Sequence, residues 1–446
     1  METTKNIAAS AAAVFQQPLR PTFSLIVIAL LWLNLTTILD WFASITDEFP
    51  KLQQHCPNVQ PVSRQEFEER QRSLAQQLYA LNASAYIAEP GANALYYGNI
   101  SKSSWSLSER PLLLVITPTV IDSVVDARLI ILTPKFETTR AKSLVIPSSH
   151  SVQYVEWAED ADPYQQLATH LLQKSTEAIY VDESIRHFIV DGLQAALPDA
   201  SVTSAPSQIK LLRERKSAAE LALLKCANEA TLLAIRRVHR DLYLGIQESQ
   251  ARAMMSAALS GFGLKDGHCL VLFGINAALP HGAGTDRELG LMDFALFDCT
   301  GSLHGYYSDV TRTVAMSVSD IPPDHIQIWY NVQAAQAIAQ RTARAGVVAQ
   351  QVDKAARSFL ESVGKGSYFT HRLGHGIGLE VHEQPYLRGG SEVILKSGHT
   401  FSDEPGVYIE GKLGVRLEDC FYINESGEAV FFTEGIGGQS RSPWSP

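Results

Sequence analysis

At 446 residues the chain is too long for one ordinary hydrophobic core, so two domains are expected. Hydrophobic residues make up 46% and charged residues 19%, which excludes a disordered chain. A formal net charge of -10, with no basic run, excludes a nucleic-acid binder built on phosphate contacts.

The first element follows a 22-residue tail. FSLIVIALLWLNLTTIL, residues 23–39, is apolar apart from Ser24, Asn34, Thr36 and Thr37. As a helix it would span roughly 25 Å, short but sufficient for a membrane crossing. Lys5 and Arg20 precede it, and Asp40, Asp47 and Glu48 follow. The positive-inside rule then keeps the N-terminus cytosolic and puts the rest across the membrane. Residues 23–43 are thus expected to be a membrane anchor, giving a single-pass protein with a lumenal or extracellular body. A cleaved signal segment and secretion is the competing reading, although Ser44-Ile45-Thr46 is a poor cleavage pattern. A buried core helix is the plainest alternative. Asn82-Ala-Ser, Asn99-Ile-Ser and Asn424-Glu-Ser are glycosylation sequons in keeping with a lumenal glycoprotein.

Residues 44–65 are polar, carry proline and read as a linker. Glu66 to Leu81 reads as an amphipathic helix. LLLVITP (112–118), RLIILTP (128–134) and KSLVIP (142–147) read as strands closed by proline. A helix over Gln165 to Lys174 and a strand over EAIYVDE (177–183) complete an α/β pattern. SVTSAPSQ (201–208) reads as a hinge. Ser217 and Glu220 form a capping box that opens a long helix. A second long helix is expected from Pro322 to Ala345, ended by Gly346. Strand-like runs lie between and after these helices, so the second half is α+β. Cys56, Cys226, Cys269, Cys299 and Cys420 are scattered with no CxxC. They suggest neither a zinc ribbon nor a dense disulfide framework, and the odd count leaves a thiol free or paired between chains.

The chemistry concentrates in the second half. Asp298 ends MDFALFD, Asp309 lies in YYSDVTRT, Glu404 in SDEPGVY and Glu418 in GVRLEDC. Strand-like runs exclude carboxylates because burying an unpaired charge is costly. Four such placements ask for a shared cation. The glycine-rich THRLGHGIGLEVHEQP (370–385) adds His371, His375 and His382. A set of two Asp, two Glu and one His is too oxygen-rich for structural zinc and suits two divalent ions. Two such ions can hold a bridging hydroxide and polarise a carbonyl.

LPHGAG (279–284), FDCTGSLHGYYSDVTRT (297–313), HRLGHGIGLEVHE (371–383), DEPGVY (403–408) and VRLED (415–419) together resemble the five signature blocks of the pita-bread metallopeptidases. That family includes aminopeptidase P, prolidase and methionine aminopeptidase. EFEERQRSLAQQL, ANALYYGNIS and ERPLLLVITP are similar to the creatinase-type N-terminal domain of its proline-specific branch. The resemblance covers about residues 60–435. It implies a creatinase-like α/β domain over 66–205 and an α+β pita-bread catalytic domain over 206–446. It also implies metal ligands at Asp298, Asp309, His375, Glu404 and Glu418, with manganese favoured over cobalt, zinc or iron. His281 and His382 resemble the substrate-side histidines, Arg416 the supporting arginine, and His371 reads as a histidine that either supports the ligands from behind or packs. Glu404 is expected to shuttle a proton from the hydroxide nucleophile to the leaving nitrogen. A homodimer is implied by resemblance alone.

Two positions depart from the pattern. The family has Asp-x-Gly where this chain has Asp298-Cys299-Thr300, and Asp403 stands at a usually uncharged position. Cys299 is expected to be a buried, inert cysteine. The expected function is an Xaa-Pro dipeptidase or aminopeptidase acting on proline-containing peptides. The alternatives are a metal-dependent hydrolase of another small amide substrate, a specialised metabolite, and a noncatalytic binding protein on the same scaffold.

Overall fold

The computed structural model describes residues 55–446 apart from 57, 172–177 and 283–284, and the unit Cys56–Pro446 carries every element below. Helix Arg64–Ala80 starts where Ser63 caps it, its hydroxyl accepting the Glu66 N–H at 3.2 Å. Phe67, Arg70, Gln71, Leu74, Ala75 and Leu78 form its buried face, the spacing of one helical side. That face covers a six-stranded sheet of β1 (Ala83–Ala88), β2 (Leu113–Ile121), β3 (Val124–Pro134), β4 (Gln153–Trp157), β5 (Ala178–Val181) and β6 (Ser201–Ser204). The strand order is β4-β3-β2-β1-β5-β6. β1 is buried at every residue, which fits a central strand covered on both faces.

Two expectations shift here. Pro118 does not end its strand. It lies in β2 beyond the residues that pair with β1, so no hydrogen bond is lost on that side. β2 runs on to a two-residue turn whose Asp122 and Ser123 take φ 48° and 66°, the conformation of a tight hairpin. KSLVIP is not a strand: Leu144 N–H bonds back to the Ala141 carbonyl, and the next strand is β4. Leu144 and Ile146 still pack on the core, which is why the segment is apolar.

The capping box is present. The Ser217 hydroxyl accepts the Glu220 N–H at 3.2 Å, and the Glu220 carboxylate accepts the Ser217 N–H at 2.9 Å. It opens helix Ala218–Asp241, which lies along β8 (Ala295–Leu303). β8 is central among β7 (Lys265–Phe273), β9 (Tyr306–Tyr307) and β10 (Val310–Val314). A five-stranded sheet follows, ordered β12-β11-β13-β16-β17, from β11 (Gly374–Gly376), β12 (Glu383–Leu387), β13 (Thr400–Asp403), β16 (Asp419–Ile423) and β17 (Ala429–Phe431). β14 (Gly406–Ile409) and β15 (Leu413–Arg416) pair as a hairpin. Helix Pro323–Thr342 ends before Gly346, whose N–H is taken by the Leu395 carbonyl as the chain turns away. The second half is α+β, as its pattern predicts.

The membrane assignment is corrected. No helix among the described residues is long and apolar enough to cross a membrane. The longest, Ala218–Asp241, carries Glu220, Lys225, Glu229, Arg236, Arg237, Arg240 and Asp241. Residues 23–43 lie outside the described residues. The single-pass, transmembrane reading and the location argued from it are therefore withdrawn.

The odd cysteine count does leave one thiol free, while the expectation for Cys299 is corrected. Cys56 bonds to Cys226 and Cys269 to Cys299, leaving Cys420 free and buried. Cys269 and Cys299 are direct cross-strand partners of β7 and β8, a register that sequence spacing does not reveal. Cys299 is thus a disulfide partner rather than a free, inert thiol.

Candidate metal centre

Two sheets meet at one backbone bridge, and the centre sits on it. In the first sheet Asp298 on β8 pairs across to Thr311 on β10, and Asp309 immediately precedes β10. In the second, His375 is the middle of β11, while Glu404 follows β13 and Glu418 precedes β16. Thr311 and Glu418 form the bridge, with the Glu418 N–H on the Thr311 carbonyl at 3.0 Å. All five expected ligands converge there. Ligand atoms of Asp298, Asp309 and Glu418 lie within 4.8 Å of one another, as do those of His375, Glu404 and Glu418. His382 groups with Asp309 and His375 in the same way.

The glycines allow this convergence. A Cβ on Gly374 would lie 2.0 Å from the Ser402 carbonyl oxygen, and one on Gly376 would lie 2.6 Å from the carbonyl oxygens of Glu383 and Gln384. β11 is therefore bare so that its neighbours can close on it, with His375 projecting between.

His375 Nδ1 is 3.1 Å from the Gly376 carbonyl oxygen, which turns Nε2 toward the carboxylates. Nε2 lies 3.2 Å from Glu404 Oε1 and 3.6 Å from Asp309 Oδ2. The Ser402 hydroxyl donates to Glu404 Oε1 at 3.2 Å and accepts the His375 N–H at 3.1 Å. Thr311 donates to Glu418 Oε2 at 2.6 Å, but Glu418 Oε1 is buried with no hydrogen-bond partner among the described residues. Such an orphan acceptor is costly unless something positive reaches it.

The charges agree. Burial, then Asp298 and Glu404, hold the Asp309 carboxyl well above the usual range. Burial, then Asp309, does the same to Glu418. Burial would also raise Glu404, but the hydrogen-bonded His375 outweighs it and takes Glu404 down to about 2. These carboxylates repel one another in the absence of a cation, and a dication would relieve both the repulsion and the cost of burial. The donor set fits divalent metal.

Behind Asp298, Arg416 Nη2 donates to Asp298 Oδ2 at 2.6 Å and Nη1 to the Tyr408 hydroxyl at 2.9 Å. That hydroxyl lies 2.8 Å from His371 Nε2. His371 is therefore tied to the centre through Tyr408 and Arg416, more than packing alone. Nothing in the sequence singles out Tyr408: it lies within DEPGVY, but no spacing pairs it with a histidine 37 residues away. The His382 ring faces the open side, its centroid 4.2 Å from that of His375. Partial desolvation, then His375 and Arg372, lower its pKa to about 4, so it is neutral at pH 7. His281 lies on an exposed turn, and Arg416 Nη1 donates to the neighbouring Pro280 carbonyl at 3.3 Å. His281 is in none of the ligand groups among the described residues.

Residues 222–425 match the model of metallopeptidase family M24. The chain is 35% identical over 391 residues to an uncharacterized peptidase of Schizosaccharomyces pombe, covering 86% of this chain and 84% of that one. It is 32% identical to an Xaa-Pro dipeptidase of Lactobacillus helveticus, over 69% of this chain and 83% of the relative. Among solved structures, dipeptidase PepE from Mycobacterium ulcerans superposes with a TM-score of 0.74 at 31% identity, covering 84% of this chain and 97% of that one.

Proposed function

The chain belongs to metallopeptidase family M24, in its pita-bread, proline-specific branch, and from that premise we propose that it is a dinuclear-metal dipeptidase cleaving Xaa-Pro. The single observation that carries the metal reading is the convergence of Asp298, Asp309, His375, Glu404 and Glu418 around a buried, unpartnered carboxylate oxygen. Two divalent ions there, manganese favoured, would acidify a water and polarise the scissile carbonyl. Glu404, ionised and held by His375 and Ser402, takes the proton and returns it to the leaving nitrogen. His382, neutral at pH 7, presents an N–H toward the developing oxyanion, and His281, on the exposed turn after Pro280, is assigned the same role. Arg416 fixes the orientation of Asp298, and Tyr408 and His371 fix Arg416. The Xaa-Pro bond has no N–H, so recognition falls on ring shape rather than on a backbone donor. The division into a creatinase-like domain over 66–205 and a catalytic domain over 206–446, and a homodimer, are carried over from the resemblance as part of this reading.

Preference for dipeptides is supported by two free cations. Tyr386 is the register partner of His375, so its side chain rises on the same face. Arg372 and Arg388 flank its ring, their guanidinium carbons 4.7 and 5.7 Å from its centroid. Among the described residues neither pairs with a carboxylate. Arg372, close enough to His382 to perturb it, is assigned the free C-terminal carboxylate of the product proline. Arg372→Ala is expected to raise KM for Xaa-Pro dipeptides by about 10- to 100-fold, the value of a charge-assisted hydrogen bond. C-terminally amidated analogues should be poor substrates for both forms. Peptide-length profiling checks this: equal cleavage of dipeptides, amides and longer peptides would refute the dipeptidase reading. Failure to cleave any Xaa-Pro peptide would return the site to another small amide.

A further inference from the structure

Lys216 stands at the joint between helices Ser207–Glu214 and Ala218–Asp241, and its ammonium is spent on a buried carboxylate beside the site. Lys216 Nζ donates to Glu383 Oε1 at 2.5 Å, to the Arg213 carbonyl at 3.0 Å and to the Glu214 carbonyl at 3.2 Å. The two side chains are 2% and 3% exposed. Glu383 Oε2 accepts from Arg213 Nη2 at 3.3 Å and from the Glu380 N–H at 3.3 Å. Every donor of the lysine and both oxygens of the glutamate are therefore used. A buried pair of this kind adds little net stability over an apolar pair of the same shape, so its value lies in geometry.

The geometry it fixes is that of His382. Glu383 opens β12, so His382 is the last residue of the turn before it. The His382 ring makes no hydrogen bond among the described residues. Its position is set by its backbone, and that backbone is clamped at Glu380 and Glu383. Gly378 completes the clamp: a Cβ there would lie 2.7 Å from Glu383 Oε1 and 2.8 Å from Lys216 Cε. The turn is bare where the ion pair passes under it.

We propose that Lys216 is a positioning residue for the reaction: through Glu383 it holds the turn from which His382 reaches the substrate. This rests on His382 being the substrate-side donor. Misplacing a catalytic group by about 1 Å can cost on the order of 100-fold in rate.

A double-mutant cycle on an Xaa-Pro dipeptide tests it, with metal content measured on each variant. Lys216→Met is expected to lower kcat/KM by about 10- to 100-fold with metals retained. In a His382→Ala background the same change should cost less than about twofold. Lys216→Arg, which keeps a cation at the carboxylate, should recover most of the rate. Where Lys216→Met fails to fold, the pair K216M/E383L removes both charges together and enters the same cycle. Equal losses in both backgrounds would overturn the positioning role alone. A wild-type rate for His382→Ala by itself would overturn the reading of His382 and this one with it.

Discussion

Glu404→Gln is expected to lower kcat on an Xaa-Pro dipeptide by about 100- to 10,000-fold, the range of a lost general acid–base. The substitution is nearly isosteric. The amide oxygen can still accept the Ser402 hydroxyl, now 3.2 Å from Oε1, and can still face His375. What disappears is the base. The carboxylate is ionised across the working range because His375 offsets the effect of burial. An amide cannot take a proton there. KM should change far less than kcat, since the group acts on the reacting atoms and not on the ground-state substrate. Metal analysis of the same preparation separates the two roles of Glu404. A variant with full metal content and a wild-type kcat would remove it from the proton path.

The second large effect is expected at His382. His382→Ala should lower kcat/KM by about 100- to 1000-fold while leaving the metals bound. The ring is exposed, 4.2 Å between centroids from His375, and among the described residues no group competes for its N–H. Its pKa of about 4 keeps it neutral well below pH 7. It therefore acts as a fixed donor, and its loss should not move the neutral limb of a pH–rate profile. His371→Ala should behave differently. That ring reaches the centre only through Tyr408 and Arg416, so its loss should loosen Asp298 and weaken metal binding. If His382→Ala turns over at the wild-type rate with its metals bound, His382 is not the substrate-side donor; His371 is no substitute, since both its ring nitrogens are already engaged.

What the sequence reveals about this molecule depends on how far apart the interacting residues are. Asp298, Asp309, Glu404 and Glu418 are conspicuous because each stands in or directly beside an apolar strand, where an unpaired carboxylate is anomalous. The capping box at Ser217 is equally local, and both of its hydrogen bonds form. Local reading fails where register or a distant partner decides. The Cys269–Cys299 disulfide exists because β7 and β8 align those residues. KSLVIP has the composition of a strand, but its backbone folds back on the helix before it while its side chains fill the core. Lys216 and Glu383 are 167 positions apart, and nothing in either segment names the other. Residues 23–39 lie outside the described residues, and their reading as a membrane anchor rests on composition and flanking charge.

The most direct test of the central claim is the metal content of the purified protein measured beside its activity. Two divalent ions per chain are predicted, with Xaa-Pro cleavage lost on chelation and restored by adding back manganese, cobalt, zinc or iron. Asp298→Asn should lower the occupancy and the rate together. Wild-type cleavage by protein that holds no metal would contradict the account.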